Sequence, residues 1–266
     1  MVPSFDIWYI VFAVILLVMI PIALFLTFRK RWYLKALPLW IGALIFFVFS
    51  QVLEKILHLI VLHPQPNGTI TLASNHPWIY VLYGVLAAGI FEETGRLVGF
   101  LYLKKKVFGL QTAISYGIGH GGIEMILIGA MGIISYLVVS MGINAHNTKL
   151  LMTVPSSLTQ SLTTNAGWLI SETIVERLFA LSIQISLSFL VWIAVNQAAK
   201  LWLYPLAIVL HAVVDIPAAM LQANLLTSSS ITLALTIVLT ILLGLFVYWY
   251  VKKLGLHIRP ESNQPI

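Results

Sequence analysis

Long apolar runs separated by short polar segments make up most of the chain, and seven runs are long enough to cross a bilayer. These predicted spans, numbered 1 to 7, cover about residues 7–28, 36–57, 78–103, 108–139, 169–194, 202–221 and 231–251. The pattern predicts an all-α fold: a polytopic transmembrane bundle of about seven helices, with residues 1–266 forming a single integral membrane domain. Span 4 is longer than one crossing and rich in glycine, so we expect it to tilt, break or continue outside the membrane.

Two polar segments, 58–77 and 141–167, are predicted to be loops on one side of the membrane. The second is long for a loop in a compact bundle and rich in serine, threonine and asparagine. It could form a lid over a site, and it could equally be a disordered loop.

The composition supports a membrane protein, because 60% of the 266 residues are hydrophobic and only 9% are charged. A soluble domain carries about a quarter charged residues. The net charge of +6 does not indicate nucleic-acid binding, since the basic residues lie in short clusters between the apolar runs. In that position they contact lipid headgroups. The absence of cysteine excludes disulfides and thiolate metal sites.

The basic clusters predict the orientation of the bundle. Most of them follow spans 1, 3, 5 and 7, at Arg29, Lys30, Arg31, Lys35, Lys104, Lys105, Lys106, Lys200, Lys252, Lys253 and Arg259. The opposite ends hold Lys55 and Lys149. By the positive-inside rule, we expect a plasma-membrane protein whose N-terminus is outside and whose C-terminus is cytoplasmic.

Span 3 contains Glu92, Glu93 and Arg96, and charged groups in hydrocarbon cost at least a few kcal/mol each. Such groups usually face the interior of a bundle or a water-filled cavity. Any one buried polar residue is most simply a structural hydrogen bond between helices. Seven acidic and histidine residues on four spans are harder to explain in that way, namely Glu92, Glu93, His120, Glu124, Glu176, His211 and Asp215.

The spacing of these residues predicts that several share a helix face. Arg96 lies three and four residues after the two glutamates, so one guanidinium could brace both carboxylates. His120 and Glu124 have the same four-residue spacing, as do His211 and Asp215. Glu176 and Arg177 could form another internal ion pair. Counting about 1.5 Å per residue places Glu92, His120 and His211 in one mid-membrane layer, and the glycines around His120 would let backbones approach closely.

This layer has the groups needed to hydrolyse an amide. A desolvated carboxylate can act as general base to a water, an imidazole can donate to a developing oxyanion, and Asp215 can orient a histidine. Glu92, His120 and His211 could instead hold a divalent metal, because two histidines and a carboxylate are a common hydrolytic zinc set. The residues alone leave both alternatives open, so the cofactor is either zinc or none.

Three motifs resemble those of the CPBP (Abi) intramembrane proteases, which include the CAAX prenyl endopeptidases. Glu92-Glu93-Thr94-Gly95-Arg96 resembles their Glu-Glu…Arg motif, although one residue fewer precedes the arginine than in the usual form. Tyr116 to His120 resembles their FxxxH motif with tyrosine for phenylalanine, and His211 to Asp215 resembles their HxxxN/D motif. The pattern through Glu124 is most similar to the YhfC branch of intramembrane metalloproteases, and PrsW-type proteases are the second-closest likeness.

The resemblance covers spans 3 to 6 and implies a role for each residue. Glu92 would be the general base, Glu93 and Arg96 its support, and Glu124 a further polar contact. His120, His211 and Asp215 would form the oxyanion or metal set. The shorter spacing leaves open which glutamate Arg96 binds.

The sequence therefore predicts an intramembrane endopeptidase that acts on a peptide or membrane-protein substrate. A proton- or cation-coupled transporter and a non-catalytic binding or immunity protein are the alternatives. The lack of a detectable inverted repeat argues against the transporter. Near the outer end of span 2, Gln51 and Glu54 could line the cavity or simply contact solvent, and His58, His63 and His76 are expected on the surface.

Overall fold

The computed structural model describes residues 1–65 and 69–258, and within them all regular secondary structure is helical. Arg259, which was counted among the cytoplasmic charges, lies outside these residues. The helices, numbered in chain order, are α1 (Ser4–Trp32), α2 (Ala36–Leu62), α3 (Thr71–Asn75), α4 (Pro77–Leu103), α5 (Gln111–Asn144), α6 (Thr148–Leu151), α7 (Ser156–Thr164), α8 (Ala166–Asn196), α9 (Leu203–Gln222) and α10 (Ser229–Lys253).

The predicted all-α bundle is confirmed. Among the described helices, six are long and apolar enough to cross a membrane: α1, α2, α5, α8, α9 with its preceding turn, and α10. The seventh predicted span is α4, which has 27 residues but carries Glu92, Glu93 and Arg96. At a rise of about 1.5 Å per residue, α4 also has the length to cross the hydrocarbon core.

The segment predicted as a loop at 141–167 is mostly helical, so that prediction is wrong. Helix α5 continues to Asn144, and α6 and α7 occupy most of the remainder. Asn147 accepts a hydrogen bond from the backbone of Leu150 and caps α6. Leu162 on α7 is fully buried in an apolar cluster with residues of α1, α5 and α8. An apolar anchor thus fixes a segment whose composition suggested a loop.

Two transmembrane helices contain π-helical stretches, Phe47–Glu54 in α2 and Met125–Ala130 in α5. A π-helical turn adds a residue to the turn and changes the direction of the side chains that follow it, and such turns often lie at functional sites. One stretch ends at Glu54 and the other begins directly after Glu124. Span 4 therefore continues as one long helix, with a local change of winding beside a candidate site residue.

Helices α2, α5 and α8 pack closely because glycines leave room for the neighbouring backbone. A methyl group on Gly119 of α5 would overlap the carbonyl oxygen of Leu39 on α2. A methyl group on Gly117 would lie 2.6 Å from the Cα atom of Ile185 on α8. The predicted close approach of backbones around His120 is confirmed, and it brings the His120 helix into the centre of the bundle.

The basic helix ends share one face of the bundle. Lys252 and Lys253 are in the last turn of α10, where Tyr250 contacts Trp202 with ring centroids 6.0 Å apart. The chain then continues to Ile258, which packs in the same cluster as residues at the end of α1. The opposite face carries the ends of α2 and α9 and the start of α10. The basic clusters at the ends of α1 and α10 therefore lie on the face opposite these ends.

Candidate active site

The charged residues of α4 lie in the interior of the bundle. Glu93 and Arg96 are fully buried, and Glu92 is 7% exposed. Helix α9 packs along one side of α4, while α8 and α2 cover others. The charges therefore face other helices instead of lipid, as the cost of placing them in hydrocarbon requires.

Arg96 binds Glu93 and uses all of its five N–H donors. Its Nε donates to Glu93 Oε2 at 2.8 Å and its Nη2 to Glu93 Oε1 at 3.1 Å. Its Nη1 donates to the carbonyl of Gln184 at 2.9 Å and to Ser188 Oγ at 2.5 Å, and its Nη2 also donates to the Gln184 side chain. The expectation that Arg96 braces both carboxylates is therefore wrong, because Glu93 receives its carboxylate contacts.

Glu92 is hydrogen-bonded to residues of two other helices and lies near a histidine of a third. Its Oε2 lies 3.0 Å from His120 Nε2 on α5 and accepts a hydrogen bond of 3.0 Å from Gln184 Nε2 on α8. The same oxygen lies 3.8 Å from His211 Nε2 on α9. Glu92, unlike the fully buried Glu93, also lines a cavity. The two adjacent glutamates consequently have different surroundings.

His211 is held between the two glutamates and Asp215. Its Nδ1 lies 2.8 Å from Glu93 Oε1, and its Nε2 lies 3.5 Å from Asp215 Oδ2. Because Glu93 is a carboxylate paired with Arg96, it accepts from Nδ1, and Nε2 is left facing Glu92 and Asp215. The four-residue spacing thus brings His211 and Asp215 together on α9, as expected.

Gln184 is a central member of this network, and the sequence pattern did not indicate it. Its amide nitrogen donates to Glu92 Oε2 at 3.0 Å and to Glu124 Oε2 at 2.8 Å. Its amide oxygen accepts from Arg96. The amide therefore connects the carboxylates of α4 and α5 to the guanidinium. The only sequence signal is a polar residue within the apolar run of span 5, and a glutamine is a weaker signal than a charged residue because its side chain is neutral.

Arg177 on α8 completes the network at Glu124. Its Nη1 lies 3.1 Å from Glu124 Oε1, and the same guanidinium forms a bidentate ion pair with Glu176. The predicted Glu176–Arg177 pair is therefore present. Glu124 is held by two residues of α8, Arg177 and Gln184, which supports its role as a polar contact and leaves Glu92 as the carboxylate beside both imidazoles.

A cavity of about 870 Å³ extends from this network towards the face opposite the basic helix ends. Glu92, His211 and Asp215 lie at its inner end. Tyr80 and Gln222, on the outer turns of α4 and α9, lie at the other end. The cavity is large enough for a peptide segment, and it gives Glu92 access to water.

The outer half of α2 forms one wall of the cavity. Glu54 is 6% exposed and lines the cavity, whereas Gln51 is hydrogen-bonded to Ser50. The surface prediction for His58 holds only in part, because its side chain is 32% exposed and lines the cavity. It is half-buried, with Nδ1 at 2.9 Å from the hydroxyl of Tyr83 and Nε2 at 3.3 Å from Glu54 Oε1. The surface predictions for the other two loop histidines, His63 and His76, are correct, since both are exposed.

The candidate metal set has the donor types of a zinc site. His120 Nε2 and His211 Nε2 both approach the Glu92 carboxylate, and the contact from His211 Nδ1 to Glu93 is the carboxylate–histidine arrangement that supports zinc ligands. Over residues 1–65 and 69–258, however, no three His, Asp or Glu side chains are arranged as a formed metal site. Glu92 and His120 are bonded to each other. The donor chemistry fits zinc, and the observed contacts are those of a hydrogen-bonded network.

Comparison with known proteins gives two matches. A family model described as YhfC intramembrane metalloprotease matches residues 15–237, a range that includes every candidate site residue. A Bacillus subtilis (strain 168) protein, described as "Uncharacterized membrane protein YhfC", is 35% identical over 243 residues, which cover 88% of this chain and 91% of the relative. No solved structure matches the chain. The wider resemblance to CPBP and PrsW proteases is not tested by these matches and stays a prediction.

Proposed function

We propose, starting from the fact that the chain belongs to the YhfC intramembrane metalloprotease family, that it is an endopeptidase that hydrolyses a peptide bond within or near the bilayer. One observation carries the proposal. Glu92 is a buried carboxylate at the inner end of a cavity, and two imidazoles from different helices approach it. A carboxylate, two imidazoles and access for water are the groups that amide hydrolysis needs.

Glu92 is proposed as the general base. It would take a proton from a water in the cavity as the water oxygen attacks the peptide carbonyl carbon, and would then pass that proton to the leaving amine. The hydrogen bond from Gln184 and the contact with His120 fix the orientation of the carboxylate. Glu93 is proposed as support, because its oxygens are already bound by Arg96 and by His211.

His211 is proposed to stabilise the oxyanion that forms on the peptide carbonyl. Glu93 holds the ring through Nδ1, so the ring edge that carries Nε2 faces Glu92 and the cavity. An N–H at that position would donate to the oxyanion. Asp215 lies beside the same nitrogen and would keep it protonated and oriented. His120 is fully buried behind Glu92 and acts on the carboxylate.

A metal ion is compatible with the same residues. Glu92, His120 and His211 would hold it, and a zinc ion bound there would polarise the attacking water. The support of His211 by Glu93 has the same function in either case, because it fixes the ring and leaves Nε2 directed at the site.

The proposal is tested with the purified full-length protein in detergent. The protein is incubated with a library of apolar peptides, and cleavage products are identified by mass spectrometry. We expect cleavage by the wild type and none by Glu92→Gln. A matched control is Glu172→Gln, which also alters a buried carboxyl on the cavity wall, but one bonded to Ser229 and Ser230. Cleavage that persists in folded Glu92→Gln contradicts the proposed role of Glu92.

The same preparation separates the remaining alternatives. Metal content and the effect of a chelator on cleavage distinguish zinc-dependent hydrolysis from hydrolysis by Glu92 alone. Ion or proton uptake into proteoliposomes without any cleavage would indicate that the protein is a transporter and not a protease. If the Glu92→Gln variant still protects cells, the protein acts as a binding or immunity protein and not as a protease. Lipids and a peptide or membrane-protein substrate are the proposed partners, in the plasma membrane with the N-terminus outside.

A further inference from the structure

We propose that Glu54 is a recognition point for a positively charged group of the peptide that enters the cavity. The inference rests on the proposed protease function and adds the substrate class: apolar peptides with an ammonium or guanidinium group. Lysine and arginine side chains and a free peptide N-terminus all supply such a group.

The first observation is that Glu54 is buried with one oxygen unused. Its Oε1 lies 3.3 Å from His58 Nε2, and His58 is in turn fixed by Tyr83. Its Oε2 is buried and has no hydrogen-bond partner among the described residues. A buried carboxylate oxygen without a donor is costly. A cationic N–H group in the cavity would supply that donor.

The second observation is that the other carboxylates of the cavity already have partners. Arg177 binds both Glu124 and Glu176. Glu172 accepts hydrogen bonds from Ser229 and Ser230, at 2.7 and 2.5 Å. Glu92 and Asp215 belong to the catalytic network described above. Glu54, on the wall formed by α2, is therefore the carboxylate of this cavity with capacity for a ligand outside the catalytic network.

The charge of the cavity favours a cation. Six carboxyl side chains line it, at Glu54, Glu92, Glu124, Glu172, Glu176 and Asp215. Two side chains with permanent positive charge line it, Lys55 and Arg177, and Arg177 is occupied by its two carboxylates. Clefts lined by one sign of charge with low-dielectric walls attract the opposite charge. A cationic group would be drawn in, and an anionic segment would be repelled.

The position of Glu54 also suits recognition at a distance from the chemistry. It is the last residue of the π-helical stretch Phe47–Glu54, and its buried side chain lines the cavity. The next residue, Lys55, is exposed. Glu54 and Glu92 line the same cavity from different helices, so a peptide that occupies the cavity can contact both.

The test measures binding, so it does not depend on cleavage. Three fluorescent apolar peptides are compared: an N-acetylated peptide with one lysine, its acetylated norleucine twin, and the norleucine peptide with a free N-terminus. Binding is measured by fluorescence anisotropy in detergent with the full-length Glu92→Gln protein, which does not consume the peptides. The same measurement is made with the double variant Glu92→Gln/Glu54→Gln. The second substitution keeps the shape of the Glu54 side chain and removes its charge. Glu172→Gln in the same background is the matched control.

We expect the lysine peptide or the free-amine peptide to bind about tenfold more tightly than the acetylated norleucine peptide, as one charge-assisted hydrogen bond provides. The peptide that gains affinity identifies the source of the cation. Glu54→Gln should remove this advantage, and Glu172→Gln should retain it. The proposal is overturned if the three peptides bind alike, if none binds, or if the advantage survives Glu54→Gln in protein that elutes as a single folded species. Failure of the protease proposal would appear separately, as absence of cleavage by the wild type.

Discussion

Arg96 donates to both oxygens of Glu93, at 2.8 and 3.1 Å, and this ion pair separates two adjacent glutamates into different roles. Glu93 is fully buried and fixed. Glu92 remains beside His120 and Gln184 at the end of the cavity. Adjacent residues on a helix point about 100° apart, so Arg96 and His211 can bind the Glu93 carboxylate while the Glu92 carboxylate lines the cavity.

This division predicts different effects of two similar substitutions. Glu92→Gln should abolish cleavage and change the thermal unfolding midpoint little, since glutamine can still accept from Gln184. Glu93→Gln should lower the stability by about 3–5 kcal/mol, because it leaves the Arg96 charge buried and unpaired. Thermal unfolding in detergent and the peptide-cleavage assay measure both effects. The assignment of roles is wrong if Glu93→Gln is as stable as the wild type while Glu92→Gln unfolds.

Replacing Arg96 by lysine should be nearly as damaging as removing it. The guanidinium donates five hydrogen bonds to acceptors on Glu93, Gln184 and Ser188, whereas an ammonium group has three donors and no planar fork. We expect Arg96→Lys to lose about 2 kcal/mol or more of stability. Arg31→Lys, an exchange at an exposed residue of the α1 end, is the control and should have no effect. Equal unfolding midpoints for Arg96→Lys and the wild type would contradict the five-contact geometry.

Gln184→Leu should reduce both activity and stability. The side chain joins Glu92, Glu124 and Arg96, and leucine of similar size would leave all three without that contact. Each buried polar group left unpaired costs about 1–3 kcal/mol. Ser182→Leu, on the exposed side of the same helix, is the matched control. A Gln184→Leu protein with wild-type cleavage rate would show that the amide does not orient Glu92.

The sequence predicted the helices well, because each transmembrane helix is an apolar run of spanning length. The pairs at four-residue spacing, such as His211 and Asp215, were also accessible, since helix geometry fixes them locally. The sequence could not predict which glutamate binds Arg96, because Arg96 lies three and four residues after the two glutamates and could reach either. The choice is made by Gln184 and Ser188, 88 and 92 residues away on α8.

Two other features depended on long-range packing. Segment 141–167 has the composition of a loop, and its helices form because Leu162 is buried between α1, α5 and α8. His58 follows an apolar run and resembles a surface residue in sequence. Its contacts with Tyr83 and Glu54 arise from the way α2 crosses α4. Neither the burial of Leu162 nor the contacts of His58 produce a periodic pattern in the sequence, so the apolar periodicity could not predict them.

The basic face predicts the orientation of the protein in the membrane. Single-cysteine variants can test it cleanly, because the natural sequence contains no cysteine. Lys105 follows α4 on the basic face of the bundle, whereas Ser157 lies in α7 on the opposite face. Both residues are exposed. A membrane-impermeant maleimide should label Ser157→Cys in intact cells and Lys105→Cys only after lysis. The opposite labelling pattern would reverse the predicted topology and place the cavity on the cytoplasmic side.

Two glycines of α5 should respond in opposite ways to substitution by alanine. A methyl group on Gly119 would overlap the carbonyl oxygen of Leu39, and because that atom belongs to the backbone, α2 and α5 would have to separate. Overpacking of this kind costs about 1–3 kcal/mol, and here it would also displace His120 from Glu92. A methyl group on Gly132 meets nothing within 4 Å, so Gly132→Ala should be neutral or slightly stabilising. Unfolding midpoints and cleavage rates of the two variants test the packing: equal behaviour would contradict the close approach that places His120 in the site.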